Sequence, residues 1–418
     1  MAERDWWKAA IIYELYVDKF AGNFRGLTEK LDYFTWLGVN TLWILPHYPS
    51  PMVDGGYDIV DYRGVRSELG TVADLEKFVD EAHKRGLRVM IDMVLNHTSI
   101  DHPWFRQRPE WYLWSDNSDS MPLADIAFPD IKEKNWVWDE KRQKYYYATF
   151  YPQQPDLNWD NPEVVTEMLG VMDYWLGKGV DGMRLDAVSR LIKREGTNCF
   201  GLPETHQMLK KIRAHVEEGW PGTVLLAETG GWPDEARQFF GVGDECQMVM
   251  HFQLAPNMLL DVLNKNRRRT QEAWKWSGAV PPENRWAVFL TNHDSVDVWF
   301  LAEADRNEFI SRVDPEVKWS WQVGQSMAVR LAEVCQGNPD LIVEATQMLL
   351  DQPGVPIIYY GNEIGMRNEN RTEKPRDTRA FVRGQFDWEE ADRQMRNSGS
   401  ILNRVRSVIR SEGKNNFG

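Results

Sequence analysis

The sequence predicts an α/β protein folded as a (β/α)8 barrel of the TIM type, with a subdomain inserted after strand three. Three features predict it. Short apolar runs alternate with helical patterns along most of the 418 residues, acidic residues stand directly after several of those runs, and one connection is far longer than the rest. Length alone would also allow two or three domains, but a single barrel with an insertion accounts for it equally well.

The runs at 11–17, 41–45, 88–95, 182–186, 224–229, 246–252, 286–290 and 355–361 read as strands. Each is a near-continuous apolar stretch, as strands buried on both faces of a parallel sheet must be. Helical periodicity falls at 26–38, 72–86, 161–178, 203–217, 254–264, 320–351 and 389–411. Gly38, Gly86 and Gly179 each sit just past a helix, where a left-handed cap residue is wanted. An open doubly wound sheet shares the alternation, but no glycine-rich phosphate loop follows the first strand. From His97 to about Asp160 the pattern breaks into Pro, Asp, Ser and aromatic residues. A connection that long reads as functional or as a small subdomain. Residues 98–158 are therefore expected to form a lid over the carboxyl end of a barrel built from 1–97 and 159–418. The polar, Arg-rich stretch 361–388 reads as a long loop over the same face.

A formal charge of −14 and a pI of about 5.2 disfavour nucleic acid and anionic membranes as partners and suit a neutral small molecule. Cys199, Cys246 and Cys335 form no CxxC pair and no metal-ligand spacing, so they read as buried thiols of a reducing compartment. The amino terminus lacks a signal-peptide pattern and no apolar run is long enough to span a bilayer, which together predict a cytoplasmic protein. Trp104, Trp111, Trp114, Trp136 and Trp138 crowd the inserted stretch and are candidate platforms for a sugar face, although most of the 20 Trp must serve packing.

The chemistry is concentrated at strand ends. Gly182-Met-Arg-Leu-Asp186, Val224-Leu-Leu-Ala-Glu228 and Phe289-Leu-Thr-Asn-His-Asp294 each place an acid just past an apolar run. A single such Asp is commonly a helix cap. Three, accompanied by Arg184, Asn292 and His293, supply the nucleophile, acid/base and helper that glycosidic bond exchange requires. Asp186 is assigned as nucleophile because Arg184, two residues away, shares its strand face and would hold it ionised. Glu228 has only Ala227 and Thr229 beside it, with no adjacent cation, and suits the acid/base. Asp294 with His293, and His97 after strand three, suit gripping sugar hydroxyls. Asp92 lies deeper in its strand and reads as structural.

These residues closely resemble the α-amylase family of glycoside hydrolases. The matching motifs are Asp92-Met-Val-Leu-Asn-His97, Gly182-Met-Arg-Leu-Asp186, the Glu228 strand end and Asn292-His-Asp294, in the family's order, with Gln154-Pro-Asp-Leu-Asn158 resembling a further motif of its α-glucosidase-like branch. The resemblance spans nearly all of the chain. It implies Asp186 as nucleophile, Glu228 as acid/base and Asp294 as transition-state stabiliser, and adds Asp54, Tyr57, His97, Arg184 and His293 as binders of the sugar at the cleaved bond. Tyr57 would be the platform beneath that ring.

Within the family, Leu45-Pro-His-Tyr-Pro-Ser-Pro51, Arg194-Glu-Gly-Thr-Asn-Cys199, Leu202-Pro-Glu-Thr-His206 and Gly243-Asp-Glu-Cys246 resemble trehalose synthases, which interconvert maltose and trehalose. Three departures stand against that likeness. Phe381-Val-Arg-Gly-Gln-Phe-Asp-Trp388 replaces an Arg-Thr-Pro-Met-Gln-Trp segment, with Arg383 as the candidate substitute for its arginine. The first loop, Asp18 to Gly26, keeps too few oxygen ligands for a calcium site. The chain stops at Gly418, where the family's C-terminal β-sandwich normally begins, so that domain is expected to be absent or cut away.

The expectation is an α-retaining enzyme of small α-glucosides, with trehalose-synthase-like isomerisation ahead of α-glucosidase hydrolysis and of transfer from sucrose. A non-catalytic binding or scaffold relative is the reading from another class. No cofactor or metal is expected for the chemistry; if calcium bound, Asn96 would be the first ligand to suspect.

Overall fold

The computed structural model describes residues 3–415. Its centre is a closed barrel of parallel strands: β1 (Ile12–Leu15), β2 (Thr41–Ile44), β3 (Arg88–Val94), β4 (Gly182–Asp186), β5 (Val224–Ala227), β6 (Met248–Met250), β7 (Arg285–Phe289) and β8 (Val355–Tyr359). Each strand pairs with its sequence neighbours, and β1 closes the ring on β8 with Ile12 opposite Ile357. Every expected strand is present at its expected place. The runs are short and apolar because both faces are covered, the inner by barrel side chains and the outer by helices. Gly182 shows how tight the interior is: a Cβ there would meet Val224 Cγ1 at 2.5 Å.

The helices depart more from expectation. Residues 26–38 form two helices, Phe24–Glu29 and Leu31–Leu37, jointed at Lys30. Residues 388–411 are likewise split into Trp388–Met395 and the start of Ile401–Asn415. The expected helix over 320–351 is a correction. Ser320–Trp321 and Ser326–Met327 form a hairpin, Leu331–Val334 is a single helical turn, and only Pro339–Leu350 is a full helix. The break is local: Gln336 and Gly337 both have positive φ, and the Asn338 side chain then accepts from the Asp340 N–H at 2.9 Å to start the new helix. Helices Arg268–Ser277 and Glu303–Val313 escaped the sequence reading because each buries few apolar side chains.

Between β3 and the helix Pro162–Leu176, the chain forms a small antiparallel sheet from Trp114–Ser115, Lys144–Tyr147 and Trp136–Asp139. An isolated bridge from His97 to Asp156 ties this segment to the barrel rim, and one from Tyr112 to Leu157 joins its two ends. The helix that follows is capped by Asn161, which accepts from the Glu163 N–H at 2.9 Å. No described helix is long and apolar enough to cross a membrane. The three cysteines are free and buried.

Candidate active site

Barrel register brings the acids together. Asp92 on β3 lies opposite Arg184 on β4, and Leu185 lies opposite Ala227 on β5, so Asp186 and Glu228 leave adjacent strands at the same level. Neighbouring strands are separated by about 4.8 Å, and the two carboxylates accordingly share one guanidinium. Arg184 Nη1 bonds Asp186 Oδ1 at 2.5 Å and Asp92 Oδ1 at 2.5 Å, while Nη2 lies 3.7 Å from Glu228 Oε2. The next backbone N–H, of Ala187, donates to Glu228 Oε2 at 2.6 Å. Ala187 sits in the left-handed region at φ 45°, a conformation that a non-glycine residue keeps only where its surroundings hold it.

Charge in this cluster is unbalanced: three carboxylates face one cation. Burial pushes the Asp186 carboxyl well above its usual range; Arg184 opposes this, while Glu228 and Asp92 reinforce it. Burial likewise raises Asp92 to about 6 against the pull of Arg184. The sequence expectation that Arg184 holds Asp186 ionised is therefore corrected: burial outweighs the pull of Arg184, which is shared with Asp92.

Asp294 is the opposite case. Burial is outweighed by His293, Arg379 and Arg383, which hold it far below the usual carboxylate range. Arg383 Nη2 meets Asp294 Oδ1 at 2.7 Å and Arg379 Nη1 meets it at 3.1 Å. Burial pushes the His293 imidazole below its usual range although the Asp294 charge pulls the other way, and burial raises Glu14 on β1 well above its usual range. Glu14 Oε1 and His293 Nδ1 lie 2.5 Å apart, and His293 Nε2 faces the Tyr57 hydroxyl at 2.7 Å.

These groups surround a cavity of about 500 Å³. Asp54, Tyr57, His97, Asp186, Glu228 and Asp294 line it, whereas Arg184, His293 and Arg383 sit behind the lining and orient it. Arg379, not Arg383, reaches the wall. It pairs with Asp54 at 2.6 Å and Asp377 at 2.8 Å, and its guanidinium lies over Phe128 and Trp321. Arg383 is trapped behind by Gly55, where a Cβ would fall 2.2 Å from Arg383 Nη1 and φ is +57°. His97 is lowered to about 4 by burial and is neutral, with Gln154 Nε2 3.1 Å from both His97 Nε2 and Asp54 Oδ2.

The aromatic expectation is also corrected. Trp104 stacks on Tyr62, Trp111 bonds Glu163, Trp114 stacks on Phe105, Trp136 bonds the Ser120 carbonyl and Trp138 packs at a tilt on Tyr145. None of them lines the cavity. Its aromatic walls are Phe128 and Phe150 from the inserted segment, Phe200, Phe252, Trp299, and Trp321 from the unforeseen hairpin.

Among the described residues, no group of three or more His, Cys, Asp or Glu side chains is placed to hold a metal ion. Asn96 is occupied by a side chain of the protein instead. Lys193 Nζ lies 2.6 Å from Asn96 Oδ1 and 2.5 Å from Asp156 Oδ2, with the Lys193 and Asp156 side chains almost wholly buried.

Sequence reasoning missed Arg379, Glu14 and Lys193. For Glu14 a signal existed: an acid inside the apolar run Ile11-Ile-Tyr-Glu-Leu has to be satisfied within the core. Arg379 gave none, because its partner Asp54 lies 325 positions away.

A parallel barrel carrying three acids at the carboxyl ends of its strands is a scaffold whose ligand sits in the mouth of the barrel. The model of the alpha-amylase catalytic domain matches residues 8–399, and the chain belongs to that family. It is 42% identical over 383 residues to the trehalose synthase/amylase TreS of Mycolicibacterium smegmatis, covering 87% of this chain and 64% of that protein. It is 41% identical over 388 residues to the trehalose synthase of Pimelobacter sp., covering 87% of this chain and 67% of that one. The chain thus spans about two thirds of the length of these relatives. Among solved structures it resembles the isomaltulose synthase PalI of Klebsiella sp. LX3, with a TM-score of 0.76 and 26% identity over 98% of this chain and 84% of that one.

Proposed function

We propose that the protein transfers α-glucosyl units between small acceptors with retention of configuration, interconverting maltose and trehalose. The observation that carries this reading is the level placement of Asp186 and Glu228 on adjacent strands around one guanidinium. Retaining enzymes hold their two carboxyl groups about 5–5.5 Å apart, whereas inverting enzymes leave about 6.5–9.5 Å for a water.

In the first step an Asp186 oxygen attacks the anomeric carbon as the bond to the leaving oxygen breaks, and Glu228 gives its proton to that oxygen. In the second, an acceptor hydroxyl attacks the same carbon, Glu228 takes its proton, and the ester bond to Asp186 breaks. Asp294, kept anionic by Arg379 and Arg383, stabilises the positive charge that grows on the ring in both steps. The Asp54–Arg379 pair supports a preference for terminal glucosyl units, because both side chains are only 5% exposed and the pair walls the cavity beside Asp294.

Identity of about 40% to trehalose synthases favours maltose and trehalose as the exchanged pair. Likeness to an isomaltulose synthase favours transfer from sucrose as a second reading. Proton NMR of the anomeric signals separates them. The protein incubated with maltose is expected to produce trehalose, and with trehalose to produce maltose. Glucose alone would make it an α-glucosidase, and turnover of sucrose without either disaccharide would favour the second reading.

A further inference from the structure

Asp297, three residues beyond Asp294, is used by neither the fold nor the mechanism. It precedes the short helical turn Val298–Phe300 in the position of a cap, yet its side chain makes no capping bond. Its carboxylate forms no hydrogen bond or ion pair with any described residue, only its backbone carbonyl accepting from the Phe300 N–H, and it lines the cavity. Burial, followed by the charges of Asp294 and Glu228, raises it to about 7.

Its position is fixed. Val296 exchanges two backbone hydrogen bonds with Met327, and the Trp299 N–H donates to the Gln325 carbonyl at 2.9 Å. Trp299 stacks on Phe300 with ring centroids 3.9 Å apart, and Trp232 packs edgewise on both. Trp232 stands four residues beyond Glu228, so its packing on Trp299 and Phe300 sets the segment that carries Asp297 against the Glu228 loop. An acid that protonates the leaving oxygen must border the leaving sugar, whereas the arginine, histidine and tyrosine groups lie with Asp54 and Asp294 around the transferred ring.

We propose that Asp297 is the specificity-determining residue of the acceptor site, its two carboxylate oxygens accepting hydrogen bonds from hydroxyls of the departing hexose so that this sugar stays facing the glucosyl-enzyme and re-attacks it. A rigidly mounted carboxylate without a protein partner matches the vicinal hydroxyl pair of a pyranose, and Trp299 beside it offers an apolar wall. The inference rests on the glucosyl-transfer reading and specifies its acceptor.

The test uses an aryl α-glucoside as donor and glucose as added acceptor, with transfer and hydrolysis products counted in the same reaction. Asp297→Asn and Asp297→Ala are expected to raise the KM for acceptor glucose at least tenfold and to lower the ratio of transfer to hydrolysis at least tenfold. Asp297→Glu is expected to recover part of both. Because that ratio is internal to each sample, a loss of folded protein does not change it. A ratio within twofold of wild type in both variants would overturn the assignment while leaving the glucosyl-transfer reading intact. A wild-type protein that releases the aryl group but passes nothing to glucose would overturn it too, by removing the acceptor site. Failure of the wild type to release the aryl group would overturn both readings.

Discussion

Lys193→Met removes the buried cation that ties the inserted segment to the barrel. Lys193 Nζ stands 2.5 Å from Asp156 Oδ2 with side-chain exposures of 1% and 0%. At that distance and an effective dielectric of about 20, the attraction is about 7 kcal/mol; it outweighs burial at Asp156, whereas burial still holds the Lys193 ammonium below its usual range. Deleting one partner leaves the other charge buried, and such truncations cost about 3–5 kcal/mol. The rest of the network softens the loss only in part, since Thr149 and Asn96 still donate to Asp156. Asp156 is held below its usual range although burial opposes this, with Lys193 the leading cause on the other side. Its stabilisation is thus present above the ordinary carboxylate value and is lost as pH falls. Denaturant unfolding at neutral pH is expected to show the full loss, and the double variant Lys193→Met/Asp156→Asn is expected to regain part of it. A loss below about 1 kcal/mol, or a double variant no better than the single one, would refute the reasoning and mean that water reaches the pair.

Asp186→Asn is expected to reduce turnover by about 10⁴-fold or more while the protein stays folded, by analogy with removal of other essential catalytic groups; steady-state rates and a circular dichroism spectrum check it. Asp92 carries a pH signature. Its folded value of about 6, raised by burial, lies above the ordinary 3.8, so its protonated form is favoured by folding. That contribution is complete below the ordinary value and lost as pH rises through about 6, a span worth about 3 kcal/mol. Asp92→Asn is therefore expected to give a flatter stability profile than wild type between pH 4 and pH 7, and superimposable profiles would contradict it. Asn161→Ala removes the cap of the helix that follows the inserted segment and is expected to cost about 1 kcal/mol in thermal or denaturant unfolding.

The barrel was legible because its strands are buried on both faces, so each reads as an apolar run, several of them with an acid at the end, as in Gly182–Asp186. The acids were legible for the same reason: Asp186 and Glu228 follow their strands directly, and register alone sets them level. What the sequence concealed depends on contacts between distant loops. Residues 320–351 read as one helix because Trp321, Met327, Leu331 and Val334 are all buried, whatever backbone carries them. Trp104 and Trp136 were drawn into the candidate site by their residue type, while Phe128 and Trp321, which line it, were not singled out. Arg383 was expected at the wall through its resemblance to a family arginine; Arg379, four residues earlier, reaches the wall because the turn at Thr378–Val382 aims it at Asp54.

The most direct test of the central claim is to trap the intermediate. Glu228→Gln incubated with α-glucosyl fluoride, whose leaving group needs no acid, is expected to gain the mass of one glucosyl unit. Proteolysis should then place that mass on the peptide containing Asp186. A glucosyl unit on another residue, or product formed at full rate with no adduct and with inverted configuration, would contradict retention through Asp186.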